Sequence, residues 1–322
     1  MRQYIIRRIL ISVLILFGIS VILYTVIRSM PGDYISNILK ERPGVTREQV
    51  DHLRSVYGLD ESLVQGYVKW VLSAVRGDLG TSFIYQRPVT EVIGSKVWTS
   101  FWLAFPAFVL ELMIAVPLGI VSATKQYSKT DYAVTVFALV GISLPSFFFA
   151  SILQRIFALW LGWFPLQGMI TARLDLEGFL LIIDKAWHFV LPVLVLTVTS
   201  LGALMRYSRT NMLEVINSDY IRTARAKGLP EKKVIYSHAF RNTLIPIVTI
   251  VGASLPGLFS GAMITEGIFA IDGIGYTALN ALTQSDIPFL MGFNLFLAVL
   301  TLAGNLLSDI FYAVVDPRVN YS

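Results

Sequence analysis

The amino-acid sequence predicts an all-helical protein that crosses a membrane six times. Hydrophobic residues occupy 55% of the 322 positions and charged residues only 15%, so the chain has more apolar side chains than one water-soluble core would enclose. The apolar residues form runs long enough to cross a bilayer, and Lys and Arg accumulate between those runs. We therefore predict a polytopic membrane protein whose main partner is the lipid bilayer.

The first apolar run extends from Ile9 to Ile27 behind three arginines. As a helix it is about long enough to cross the hydrocarbon core. A cleaved signal peptide is the alternative, but the run is longer than a signal core and Arg28-Ser29-Met30-Pro31 lacks a small-residue cleavage site. We predict an uncleaved transmembrane anchor over residues 1–29, with the N-terminus inside.

Residues 30–98 form the only long polar segment, in which eight Lys or Arg balance eight Asp or Glu. This balance favours a small folded cap over a disordered tail. Capping residues and glycines predict one helix from Thr46 to Gly58 and another from Asp60 to Gly77. The apolar stripe of the second helix packs either on neighbouring residues or on the outer membrane interface, with Trp70 as an anchor. We predict an extracytoplasmic helical loop over residues 30–98.

The remaining apolar runs predict a five-helix core over residues 99–322. Their approximate bounds are 99–123, 133–161, 189–204, 243–264 and 288–315. The loop 206–242 carries eight Lys or Arg against three Asp or Glu, which places this loop and both termini on the cytoplasmic side. The long loop at 30–98 is exempt from that rule because long loops cross membranes largely regardless of charge.

The basic loop contains a short helix with recognisable ends. We predict Asp219 as its N-cap, Arg225 and Lys227 in a last turn where they complement the helix dipole, and Gly228 at the position after the C-cap. Pro230 then begins a second helix that leads into the next span. Ordinary accumulation of basic residues at the inner membrane face is the alternative explanation for this loop.

The stretch from Tyr220 to Gly228 resembles the EAA loop of ABC-importer permeases, in the form typical of the oligopeptide/dipeptide/nickel branch. Ala224 and Gly228 fit the Ala and Gly of that pattern. Arg222 stands where the general pattern has Glu, and His238 and Arg241 stand where it has Ile and Pro. The branch-specific form fits the chain better than the general one.

Other segments extend the resemblance over nearly the whole chain: 57–60 and 77–80 in the external loop, 265–288 before the last span, and 309–318 at the C-terminus. The resemblance implies a type I ABC-importer permease-like core formed by the last five helices. It further implies a homologous second permease, two cytoplasmic ABC ATPases that use ATP and Mg, an extracytoplasmic solute-binding protein, and a bacterial or archaeal cytoplasmic membrane. Di- or oligopeptides are the expected solute, with nickel chelates and sugars left open.

By the same resemblance, the basic helix is expected to dock on an ATPase and transmit its motion. Ala224 and Gly228 would permit close approach, while Arg222, Arg225 and Lys227 would meet acidic groups. The expected coupling residues are Asp219, Tyr220, Arg222, Ala224, Arg225, Ala226, Lys227 and Gly228.

Four residues within the spans are candidates for a translocation path or gate. Glu111 lies near the middle of the second span, where a charged group is costly unless it faces protein or water; a structural ion pair or interfacial snorkelling is the alternative. Arg155 lies in the outer half of the third span, at a different depth if both helices are straight. Pro256, Gly257 and Gly261 lie in the fifth span, where they indicate either a gate at a kink or close helix packing through Gly-x-x-x-Gly spacing.

The residue inventory offers little support for enzyme chemistry or nucleic-acid binding. The chain has no cysteine, no phosphate-binding Gly-x-x-x-x-Gly-Lys loop, and three dispersed histidines without metal-ligand spacing. We therefore expect no catalytic residue, metal or cofactor here, with ATP hydrolysis in a separate chain. A secondary transporter driven by an ion gradient through Glu111 is the first alternative function, and an intramembrane hydrolase is the second.

Overall fold

The computed structural model describes residues 2–29, 34–35, 47–56, 59–172 and 174–315. Nearly all of these residues are helical. We number the helices in chain order: α1 Arg2–Arg28, α2 Arg47–Val56, α3 Leu63–Val75, α4 Val89–Thr124, α5 Lys129–Ser143, α6 Ser146–Leu153, α7 Gly178–Ile216, α8 Asp219–Ala226, α9 Phe240–Ser254, α10 Met263–Ile268, α11 Ile274–Thr283 and α12 Ile287–Val315.

Five segments of the described chain are long and apolar enough to cross a membrane, and a bent pair makes a sixth. The five are Ile6–Arg28, Val89–Thr124, Gly178–Ile216, Pro246–Ile268 and Ile287–Asp309. These segments confirm the prediction of an all-helical polytopic protein. Two long helices begin earlier than predicted. Helix α4 starts at Val89 rather than near 99, and α7 starts at Gly178 rather than near 189.

The third predicted span, 133–161, is not a straight helix. It is divided into α5 and α6, whose axes differ by 100°. Pro145 occupies the break as the N-cap of α6, with extended backbone angles, because a proline has no N–H to donate and restricts the residue before it. The helix then continues beyond α6 as a π-helical turn over Gln154–Trp160.

Helices α4, α5 and α7 form a closely packed unit, which we call the three-helix block. A Cβ on Gly119 of α4 would lie 2.7 Å from the carbonyl oxygen of Met205, and a Cβ on Gly141 of α5 would lie 2.8 Å from that of Val198. Gly202 of α7 approaches the carbonyl of Ala138 at least as closely. Glycine at these positions therefore allows backbones to approach to a distance that a side chain would prevent.

Helix α3 packs beside the second half of α1. Its cap is Ser62 rather than the predicted Asp60, and the Ser62 hydroxyl accepts a hydrogen bond from Gln65 N–H at 3.4 Å. Tyr67 bonds Ser20 at 2.9 Å, and Trp70 lies against the Tyr24 ring. Packing on a neighbouring helix thus accounts for Trp70. Thr46 and Gly58, the predicted ends of the preceding helix, lie outside the described residues.

Candidate functional site

Helix α8 lies at one end of the helical bundle, between the long helix α7 and the segment that leads to α9. Ile221 is fully buried and Ala224 is 8% exposed, whereas the other predicted coupling residues are exposed. The close approach expected at Ala224 is therefore an approach to this chain's own helices. The exposed residues for which coupling is predicted are Asp219, Tyr220, Arg222, Arg225, Ala226, Lys227 and Gly228.

The buried side of α8 belongs to a hydrophobic cluster that includes the three-helix block. Ile221 and Ala224 join Met212 of α7 and Val234 and Ala239 of the following segment in that cluster. Further members come from α4, α5, α7 and α9, namely Val116, Ile120, Ala138, Leu204 and Ile247. Apolar contacts therefore fix α8 both to α7, which precedes it in the chain, and to the segment that follows it.

Both ends of α8 are defined by local backbone chemistry. Ser218, not the predicted Asp219, is the N-cap residue, and Asp219 lies in the first turn, where its charge suits the helix dipole. Gly228 has φ +75°, and its N–H donates to the Arg225 carbonyl at 2.9 Å. The predicted glycine ending is thus confirmed, since this left-handed conformation favours glycine.

Most of the charges on α8 already have partners within the chain. Asp219 pairs with Arg222 at 3.0 Å, and Arg225 pairs with Glu231 at 2.7 Å. The hydrogen-bonded guanidinium of Arg225 lowers the pKa of Glu231, and the Glu231 carboxylate in turn raises the pKa of Arg225. Lys227, at the C-cap of α8, makes no ion pair within the described residues.

A buried ion pair, which the sequence did not indicate, joins the three-helix block close to α8. Asp131 is 4% exposed and accepts two hydrogen bonds from Arg209, one from Nε and one from Nη2, each at 2.9 Å. Asp131 also accepts hydrogen bonds from the Ser122 hydroxyl and the Tyr127 N–H. This bidentate arrangement fixes α7 to the first turn of α5, about three turns before α8 begins.

The second candidate region lies in the interrupted fifth span. Between α9 and α10 the chain forms a 3₁₀ turn, Leu255–Phe259, which contains Pro256 and Gly257. Pro256 packs on Gly304 of α12, where a Cβ would lie 2.6 Å from Pro256 Cδ. A Cβ on Gly257 would meet open space, whereas Gly261 has φ +77° and lies against the backbone of Gly275. The two glycines therefore do not form one packing face, and helix packing through Gly-x-x-x-Gly spacing is wrong here.

Glu266 is a fully buried carboxylate beside this break, and sequence analysis included it only in the segment 265–288 that resembles the permease family. Its Oε1 accepts hydrogen bonds from Ser100 Oγ at 2.6 Å and Ala262 N–H at 2.9 Å, and its Oε2 accepts one from Tyr276 N–H at 2.8 Å. Ser100 Oγ in turn accepts from Ile274 N–H at 2.8 Å. Glu266 thus joins α4, α10 and the N-terminus of α11.

The predicted path residue Glu111 and the charged residue of the third span, Arg155, are not bonded to each other in the described structure. Glu111 is partly buried in α4 and is hydrogen bonded to Ser200 of α7. The guanidinium of Arg155 lies 5.4 Å from the centre of the Trp160 ring. The two side chains therefore do not form an ion pair with each other in the described chain, and the role of Glu111 in a path stays a prediction.

These features define a class of protein: an all-helical, multi-pass membrane protein that presents one short, capped helix at the end of its bundle. The chain belongs to the family of inner membrane components of binding-protein-dependent transport systems. The family matches residues 115–321, and the N-terminal family of the same membrane components matches residues 1–104. The chain is therefore a transport permease subunit of the inner membrane and not an enzyme, and the permease prediction is confirmed.

Known proteins of similar sequence and structure agree with this assignment. The chain is 38% identical to the oligopeptide transport system permease protein AppB of Bacillus subtilis over 100% of both chains. It is 36% identical to the dipeptide transport system permease protein DppB of Alkalihalophilus pseudofirmus, again over 100% of both chains. A solved structure of the MetNI methionine ABC transporter, inward facing, matches with a TM-score of 0.55 at 15% identity, covering 70% of this chain and 97% of that one. This likeness supports the type I permease fold.

Proposed function

We propose that this chain is one of two homologous permeases in an ATP-driven importer of di- or oligopeptides. The proposal adds a substrate class to the family assignment. Two relatives that match over their full length are named as oligopeptide and dipeptide permeases. Two cytoplasmic ABC ATPases would hydrolyse ATP with Mg, and an extracytoplasmic binding protein would deliver the peptide. On this proposal both termini, the loop 206–242 and α8 face the cytoplasm, and the external helical loop faces the binding protein.

The observation that carries the proposal is the arrangement of α8. One of its faces is anchored in the apolar cluster, and the opposite face presents Tyr220, Arg222, Ala226 and Lys227 to solvent. A docking helix needs this combination, because a force applied to the outer face reaches the spans only if the inner face does not slip. The break at Pro256 and Gly261 lies at the far end of α9, where we place the gate.

Site-directed crosslinking tests the proposed docking directly. The chain contains no cysteine, so Ala226→Cys and Lys227→Cys each introduce a single thiol into the natural sequence. We expect both variants to crosslink to an ATPase subunit in intact membranes. Ala262→Cys, at the other end of the bundle, is the matched control and should give no such product. Absence of the product from both α8 variants would contradict the docking proposal.

Two substitutions at Gly228 separate backbone strain from loss of docking. Gly228→Ala strains the left-handed backbone by about 1 kcal/mol and should leave most transport intact. Gly228→Glu adds a bulky charge at the exposed end of α8 and should uncouple ATP hydrolysis from peptide uptake while the protein remains inserted. Uptake in reconstituted vesicles is the measurement, and normal uptake by Gly228→Glu would oppose the assignment of this surface.

A further inference from the structure

A large apolar cleft lies between α4 and α7, at the end of the bundle opposite α8. Its volume is about 770 Å³, within the range of small-molecule sites. Its lining is almost wholly apolar, with Lys185 as the single charged residue. The lining residues from α4 are Trp98, Thr99, Trp102, Pro106 and Leu110, and those from α7 include Lys185, Ala186, Phe189, Val193 and Leu194.

The cleft has the length and polarity gradient of one membrane leaflet. From Trp98 to Leu110 the α4 helix rises about 18 Å, close to half of the roughly 30 Å hydrocarbon core. Trp98 and Trp102 mark one end, and tryptophan is enriched where hydrocarbon meets the headgroups. The other end, at Leu110 and Leu194, contains only aliphatic side chains. A ligand that fits this cleft has one polar end and a long apolar body.

Lys185 indicates which charge the polar end of the ligand carries. Its side chain is exposed at the tryptophan end of the cleft, and it forms no ion pair within the described chain. The adjacent Asp184 does not pair with it: the Asp184 carboxylate accepts hydrogen bonds from the Thr171 N–H at 2.7 Å and hydroxyl at 2.6 Å, and it lies beside the His188 ring. An ammonium group at headgroup depth, without an acidic partner, favours an anionic headgroup.

We propose that this cleft binds an anionic phospholipid, with its phosphate at Lys185 and one acyl chain between α4 and α7. A peptide fits less well, because its charged ends and backbone groups need polar partners that the apolar lining does not offer. A second permease subunit covering the cleft is the competing occupant, and the test below distinguishes it from lipid.

Photocrosslinking in the assembled transporter tests the proposal. The probes are phosphatidylglycerol and phosphatidylcholine with a diazirine on the acyl chain, in nanodiscs, with adducts mapped by mass spectrometry. We expect adducts at Leu110, Val193 and Leu194, with phosphatidylglycerol favoured roughly fivefold, the factor that one lysine near the headgroups supplies. Lys185→Gln should abolish the preference, and Ala186→Trp should remove the adducts by filling the cleft.

Lys96→Gln is the matched control, because Lys96 lies near the same end of α4 but pairs with Asp272 and does not line the cleft. This variant should retain the fivefold preference. Equal labelling by both lipids would overturn the assignment of Lys185. Adducts that form on the isolated chain but disappear in the assembled transporter would show that a subunit, not lipid, occupies the cleft, and would overturn the proposal.

Discussion

Asp131 and Glu266 are buried carboxylates near opposite ends of the helical bundle, and they are satisfied in different ways. Asp131 receives both donors of the Arg209 fork, so its charge is neutralised by a cation. Glu266 receives one hydroxyl and two backbone N–H donors, one of them from the first turn of α11. Polar groups at the N-terminus of a helix stabilise an anion without a full positive charge.

Replacing Asp131 by Asn should destabilise the protein strongly. The substitution leaves Arg209 partly buried without its counter-charge, and removing one partner of a buried pair costs about 3 kcal/mol or more. We expect a marked fall in the midpoint of denaturation in detergent, followed by tryptophan fluorescence. Glu91→Gln is the matched control, because the Arg87–Glu91 pair is exposed on both sides and such pairs contribute about 1 kcal/mol or less. Equal losses in the two variants would contradict a structural role for the buried pair.

The partners of these carboxylates could not be predicted from the sequence. Arg209 lies 78 positions from Asp131, and Ser100 lies 166 positions from Glu266. Spacing rules apply within one helix or turn, whereas these bonds depend on how separate spans pack. Sequence analysis therefore gave Asp131 no role and included Glu266 only in the segment 265–288. Local features were predicted more accurately, since Gly228 was correctly placed at the position after the C-cap of α8.

At the scale of the element, acidification should loosen the C-terminal end of α8. The hydrogen bonds from Arg225 hold the pKa of Glu231 below its usual value of 4.5. The pair therefore contributes fully above pH 4.5, and the contribution is lost as the pH falls through the lowered pKa. Both side chains are partly exposed, so the contribution is at most about 1 kcal/mol. A nitroxide on Ala226→Cys should become more mobile below pH 4.5, and Glu231→Gln should give the mobile spectrum at every pH. A change with pH that persists in Glu231→Gln would contradict this origin.

The two glycines of the interrupted span should respond differently to the same substitution. Gly261→Ala forces an alanine into φ +77° and into contact with Gly275, where Cα would lie 2.6 Å away, so we expect a loss of several kcal/mol. Gly257→Ala adds a methyl group to open space and should change the stability by less than about 1 kcal/mol. Thermal denaturation of both variants checks the difference. If Gly257→Ala were the more damaging, the described backbone at 255–262 would be wrong.

Element types were predictable from the sequence, but breaks and caps were less so. Apolar runs located the spans because a bilayer requires about twenty apolar residues per helix. The sequence did not distinguish a full break at Pro145 from a kink, because a proline in a membrane helix can also leave it continuous, as Pro106 and Pro117 do inside α4. Ser218 and Ser62 were missed as caps because a neighbouring Asp was an equally good candidate by residue type.

At the scale of the whole molecule, the contacts connect α8 firmly to the rest of the bundle. Glycine contacts hold α4, α5 and α7 together, the Asp131–Arg209 pair fixes the end of α7, and the apolar cluster includes Ile221 and Ala224. Helix α9 continues the cluster through Ile247, and Ser308 of α12 donates to the Thr249 carbonyl at 2.9 Å. Under the proposed function, the whole bundle would therefore move with α8.

This rigidity gives a prediction for the transport cycle. In the assembled transporter, nitroxides on Lys125→Cys and Ala226→Cys should keep their separation within about 3 Å between the resting and vanadate-trapped states, because both lie on the unit that moves. A pair with one label on Ala226→Cys and one on the ATPase should likewise stay constant if docking holds. The distance between Ala226 labels and the homologous permease should change, because under the proposed function closure of the ATPases would move the two permeases relative to each other. Double electron–electron resonance measures all three distances. A changed Lys125–Ala226 distance would mean that α8 pivots at Asn217 and Ser218, and the bundle would not move as a rigid body.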